Sequence, residues 1–225
     1  MKPLLRCTLL LAFGEVCLRA ASAPPGGHSA GQPRHFFATA GSKVAVEGET
    51  GFHGWRAEGN LVTGFLEAGN GFPGAVGEVA PSGTIAARAE VLIPVRNLKA
   101  TGSTWEPYNE QFTDAIHRGL RAERHPMIVF HLPQLLPRRA SPPAGATEGF
   151  EAKGDLGIAG VTSPVSIPIQ VQAVAGARLR ISVTLTLKQS DFNLIPRPTA
   201  LNCFGGDSDT TRITFEWLVI ERGEQ

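Results

Sequence analysis

Arg178-Leu179-Arg180-Ile181-Ser182-Val183-Thr184-Leu185-Thr186-Leu187-Lys188 carries an apolar residue at every odd position and a polar one at every even position. Successive side chains leave a β-strand on opposite faces, so strict period two describes a strand with one dry face and one wet face. The same pattern recurs to either side. Ile85, Ala87, Ala89, Val91, Ile93 and Val95 alternate with Ala86, Arg88, Glu90, Leu92 and Pro94, and Ile213, Phe215, Trp217 and Val219 with Arg212, Thr214, Glu216 and Leu218. Alternation this long predicts antiparallel strands. Weaker strands read at 42–48, 52–58, 61–68, 126–132, 148–158 and 164–174. Pro94 and Pro168 lack a ladder donor and predict edges, bulges or bends.

One region has a helical period. Tyr108, Phe112, Ile116 and Leu120 share one face of a helix predicted over 106–121. Ser103 and Glu106 can form a capping box, or Pro107 can take the first helical position. Pro126 then returns the chain to extended structure. Gly69–Gly83 and Pro137–Thr147 are rich in turn residues, and no internal repeat is present. The fold class is mainly all-β: eight or nine strands and one helix in a single barrel or sandwich.

Composition agrees. The chain has 225 residues, 42% of them apolar and 18% charged, with 26 Gly and 17 Pro. That is too apolar for disorder, and too rich in Gly and Pro for a helical bundle. A net charge of +1 leaves no electrostatic footprint for nucleic acid.

Lys2 and Arg6, the apolar run Leu9–Phe13 and Ala21-Ser22-Ala23 describe a secretory signal peptide over 1–23, which places the protein in the periplasm or outside the cell. Residues 24–41 read as a flexible lead-in, 42–221 as the folded domain and 222–225 as a tail. Cleavage removes Lys2, Arg6, Arg19 and Glu15 and takes the charge to −1, and the mature chain holds no transmembrane segment. It keeps one thiol, Cys203, so no intramolecular disulfide forms. A lone cysteine can be a nucleophile or link a homodimer, but behaviour as a small hydrophobe is favoured. Cys203→Ser is therefore expected to leave fold and stability unchanged.

Several motif matches fail on context. Gly27-His28-Ser29-Ala30-Gly31 lacks the strand and helix that a nucleophile elbow needs. Gly69-x-Gly71-x-x-Gly74 is followed by residues that forbid a phosphate-binding helix. Asp207-Ser208-Asp209-Thr210 reads as a solvated turn. His125 and His131 are six apart, on one strand face by parity, yet no metal-ligand spacing occurs. No catalytic residue and no metal site is assigned.

Short stretches, in order, resemble the YceI-like family of exported bacterial proteins. They are Ser42-Lys43-Val44 with His53-Gly54-Trp55; Ile93-Pro94-Val95-Arg96-Asn97-Leu98; Leu120 with Pro126-Met127-Ile128-Val129-Phe130; Gly154-Asp155-Leu156 with Ala159-Gly160-Val161-Thr162-Ser163-Pro164; and Ser190-Asp191-Phe192. The motif positions are thus His53, Trp55, Pro94, Phe130, Gly160, Asp191 and Phe192. Asn193 and the long Gly69–Gly83 loop depart from the pattern. The resemblance implies an extended, lipocalin-like eight-stranded antiparallel barrel with a helix near one end. It also implies an apolar cavity for a long-chain amphiphile such as a polyisoprenoid, with no other cofactor.

The functional expectation is an exported carrier that sequesters an isoprenoid or similar lipid. Two alternatives stand beside it: a filled barrel acting as an interaction module, and a small-molecule enzyme using His53, Asp191 or Cys203. Val91, Ile93, Val183, Leu185, Phe215 and Trp217 are the expected cavity lining. Asp191 is expected to cap a turn by accepting backbone hydrogen bonds.

Overall fold

The alternating stretches form the longest strands of the computed structural model, which describes residues 33–50, 53–69, 72, 83–101, 106–138, 148–194 and 207–222. The elements are β1 (Arg34–Ala38), β2 (Lys43–Thr50), β3 (His53–Gly59), β4 (Thr63–Ala68), β5 (Ile85–Pro94), β6 (Lys99–Thr101), α1 (Glu106–Gly119), β7 (Met127–Pro137), β8 (Glu148–Ile158), β9 (Val161–Val174), β10 (Arg178–Lys188) and β11 (Asp207–Arg222). Every pairing is antiparallel. The order β1-β4-β5-β7-β8-β9-β10-β11 closes on itself because β1 also pairs with β11, giving an eight-stranded barrel.

The other three strands continue members of that ring. β1 and β2 lie end to end along β11, opposite 219–222 and 211–216. β3 and β4 run back along them, and β5 passes through a 3₁₀ turn at Val95–Asn97 into β6, which pairs with β3. Three of the eight staves are therefore broken midway, and polar side chains replace the ladder bonds lost there. Ser42 Oγ accepts from the Leu218 N–H at 3.0 Å and donates to the Thr39 carbonyl. Asn97 Oδ1 accepts from the N–H groups of Asn60 and Leu61, both at 2.8 Å, which ties two breaks together.

The end of the barrel that carries 34, 68, 85, 137, 148, 174, 178 and 222 is called here the lower end; the β2–β3 and β8–β9 hairpins and α1 mark the upper end. The β8–β9 hairpin turns on Ala159-Gly160, both at positive φ, which matches the right-handed twist of the strands. A Cβ at Gly160 would lie 2.5 Å from the His125 ring, so this turn requires glycine. α1 covers the free edge of β6. The Ala100 N–H donates to Thr113 Oγ1 at 2.9 Å, and His117 Nε2 donates to the Leu98 carbonyl at 2.8 Å. Those bonds satisfy an edge that otherwise invites pairing with another chain. Trp55 packs over Gly48, its cross-strand partner, and stands 5.6 Å from the Phe112 ring, which fastens the helix to the hairpin.

The nine strands read from sequence and the helix all exist, with shifted ends. Residues 34–38 are a strand rather than part of a flexible lead-in, because Phe36 is buried inside the barrel. The β6 segment is too short to show a period. Asp207–Thr210 begins β11 instead of forming a turn, since the ladder with β10 extends to Thr210. β7 runs past 132 to Pro137, because a register shift between His131 and Gln134 lets Leu132 and Leu135 both point inward; Pro133 sits in that bulge. His125 precedes β7, so parity does not relate it to His131, which is exposed 3.6 Å from Glu90. Pro94 ends β5, and Pro168 lies just beyond the last β9–β10 pair, Ile169–Val183. The signal peptide, the Gly27–Gly31 match, Ser103 and Cys203 lie outside the described residues.

Candidate functional site

The inward faces do not meet. They enclose a cavity of about 130 Å³ whose 23 lining residues are all apolar. Val91, Ile93, Val183, Leu185, Phe215 and Trp217 all belong to that wall. Trp217 carries its one polar side-chain atom, Nε1, which is buried with no hydrogen-bond partner among the described residues. Among the described residues this wall presents no carboxylate, imidazole, thiol or hydroxyl to the cavity. It can shelter an apolar chain from water, each buried methylene contributing about 0.8 kcal/mol.

Burial changes along the barrel axis. At the lower end, Leu66, Phe72, Leu132 and Leu135 are all buried. Phe72, 2% exposed, reaches in from the turn-rich loop after β4 and faces the cavity. Phe36 and Phe150 stand behind it, with ring centroids 5.7 Å away in each case. Arg34 Nη1 donates to the Phe72 carbonyl at 3.1 Å, while its Nε and Nη2 donate to Glu221 at 2.8 and 2.6 Å. An aromatic floor is thus clamped by a bidentate ion pair, the strong form of that interaction. At the upper end, the lining residues Val46, Ile93, Ile128, Leu185 and Ile213 are only half-buried. Among the described residues, the cavity is therefore closed below and more exposed above.

One side of the wall is split. Above the Ile169–Val183 pair, β9 and β10 share no ladder. The 3₁₀ turn Gln189–Phe192 fills this gap, and Phe192 packs with Leu156, Ile158 and Ala159. Leu156 and Ile158 also line the cavity, so Phe192 seals the split from outside. The carboxylate that holds this turn is Asp209, not Asp191. Asp209 accepts from the Ser190 N–H at 2.9 Å and the Ser190 hydroxyl at 2.7 Å, and the hydroxyl and then the backbone bond hold its pKa below the ordinary 3.8. Asp191 is exposed. Lying on β11, Asp209 can reach across to the turn that follows β10.

The remaining motif positions are placed as follows. Phe130 lines the cavity, Trp55 docks the helix, and Pro94 and Gly160 shape the chain. His53 opens β3, and its side chain, like Cys203, lies outside the described atoms. Among the described residues no group of His, Cys, Asp or Glu is placed to hold a metal. Sequence reasoning missed Phe72, because a single aromatic in a Gly-rich loop has no periodicity. It also missed the β7 lining, where the bulge hides the alternation, and the β8 lining, whose inward face of Ala152, Leu156 and Ile158 is interrupted by Gly154.

The fold is similar to two solved structures. A polyisoprenoid binding domain from Saccharophagus degradans, implicated in plant cell wall breakdown, superposes with a TM-score of 0.58 at 13% identity, covering 84% of this chain and 98% of that one. BcnA of Burkholderia cenocepacia superposes with a TM-score of 0.53 at 18% identity, covering 79% and 95%. No curated protein matches the sequence. Residues 39–217 match the YceI-like domain, which spans every barrel strand except β1 and the end of β11. The chain therefore belongs to the YceI-like family.

Proposed function

We propose that this protein is an exported carrier that sequesters a long-chain isoprenoid or a similar amphiphile, with the chain in the barrel and the polar end at the upper rim. The observation that carries this reading is the all-apolar cavity. Left empty, a void of about 130 Å³ costs roughly 3 kcal/mol at about 24 cal/mol per Å³. A barrel built only to be stable fills such a space with larger side chains. The enclosed part is close to the ~150 Å³ that holds a benzene-sized ligand, so it takes the tip of a chain, and the half-buried rim covers the part that follows. Family membership and the name of the Saccharophagus degradans neighbour, a polyisoprenoid binding domain, support the ligand class. Binding is favoured over catalysis because the wall offers no titratable group.

The test is direct. Protein purified without detergent, extracted with organic solvent and analysed by mass spectrometry should release a long-chain lipid in stoichiometric amount. Absence of any lipid, together with failure to take up added prenyl alcohols, would sink the reading. Export is tested separately by the N-terminal sequence of the mature protein, expected to begin near Pro24 in a compartment outside the cytoplasm.

A further inference from the structure

We propose that Phe72 sets how much chain the barrel accepts, acting as an adjustable floor delivered by a loop rather than by the barrel wall. This rests on the lipid-binding reading and deepens it. Most lining residues belong to strands, whose positions the ladder fixes. Phe72 does not: it follows β4 by a few residues, and the Phe72 N–H donates to the Gly69 carbonyl at 3.3 Å. Its ring faces the closed end of the cavity and is backed by Phe36 and Phe150. The Arg34 guanidinium bonds the Phe72 carbonyl and lies 5.1 Å over the Phe36 ring, so a cation anchored by Glu221 locks this stop in place from outside.

A stop carried on a loop can be exchanged without disturbing the ladder, which makes this a natural place for chain-length selectivity to differ between barrels of one fold. Truncating the ring frees a void of roughly benzene size, close to one isoprene unit of added depth. Each further methylene buried raises affinity about fourfold.

The experiment compares geraniol, farnesol and geranylgeraniol, each one isoprene unit longer than the last, by displacement of a fluorescent apolar probe. It uses the mature parent protein and its Phe72→Ala variant. In the parent, affinity should rise with length and then level off. In Phe72→Ala the levelling-off should move to an alcohol one unit longer, with at least tenfold tighter binding of that alcohol than the parent shows. Leu61→Ala, at an exposed apolar residue outside the cavity lining, should leave the levelling-off point where it is. The same levelling-off point in the parent and a folded Phe72→Ala variant would overturn the inference and leave the lipid-binding reading intact, as would an equal shift in Leu61→Ala. A parent that binds none of the three would overturn both. If Phe72→Ala does not give a cooperative thermal transition, Phe72→Leu replaces it and should show a smaller shift in the same direction.

Discussion

The two ends of the barrel are built from the same kind of strand and do opposite things. The lower end spends aromatic bulk on closure: Phe36, Phe72 and Phe150 pack together, and Arg34 with Glu221 clamps them. The upper end places its rings on the wall instead: Phe130 lines the cavity and Phe192 backs Leu156 and Ile158. Its lining residues Val46, Ile93, Ile128, Leu185 and Ile213 are only half-buried, and one side of its wall is sealed by a turn instead of a ladder. Side chains of Val and Ile alternate at both ends, so the binary pattern does not distinguish them. Closure comes from ring size and from what a loop brings in. A cavity open at one end and stopped at the other orients its occupant, because only the apolar tip can be dehydrated at the floor without loss.

The comparison is broken most severely at the floor. Phe150→Ala, at 0% exposure, should destabilise by about 3–5 kcal/mol in urea unfolding. Ile213→Ala at the rim should cost well below the ~2–5 kcal/mol of a fully buried isoleucine, since water already reaches it. Equal losses at the two positions would mean that the ends are not different. Val183→Trp probes the middle. Overpacking a filled core costs about 1–3 kcal/mol, whereas added bulk in a void should cost less than that and abolish lipid uptake. An unchanged unfolding midpoint with lost binding is the expected pair of results.

A smaller effect is expected at the broken staves. Asn97→Ala removes the acceptor shared by the Asn60 and Leu61 N–H groups, and because water can replace it at this exposed site, the loss should be about 0.5–1.5 kcal/mol. The smallest concerns the seal on the upper wall. The Asp209 pKa is depressed in the folded protein, so the stabilisation its carboxylate contributes is present above the ordinary 3.8 and is lost as pH falls through the lower, folded value. Hydrogen exchange at the Ser190 amide should therefore show a protection loss below pH 3.8 that Asp209→Asn lacks, with no change in global stability above it.

Much of this was legible in the amino-acid order. Leu179 through Leu187 and Ile213 through Val219 declare their inward face by parity, because the two-residue repeat of a strand is local and burial on one side selects for it. Those strands supplied Val183, Leu185, Phe215 and Trp217 to the wall, and the β5 strand supplied Val91 and Ile93. Parity failed where the chain leaves the regular ladder. The bulge at Pro133 puts Leu132 and Leu135 on one face, and the Asp209 bond to Ser190 joins residues on separate elements.

What the sequence determined by itself is the set of strands, their dry and wet faces and the single helix, since each follows from a repeat within a few residues. What only the tertiary structure decided is the void and its ends. Whether inward side chains touch or leave room depends on how many strands close the ring and at what radius. The pairing of β1 with β11 settles that, through contacts about 185 residues apart in the chain. Phe72 becomes the floor for the same reason: its position follows from Arg34, Phe36, Phe150 and Glu221, which no local pattern brings together.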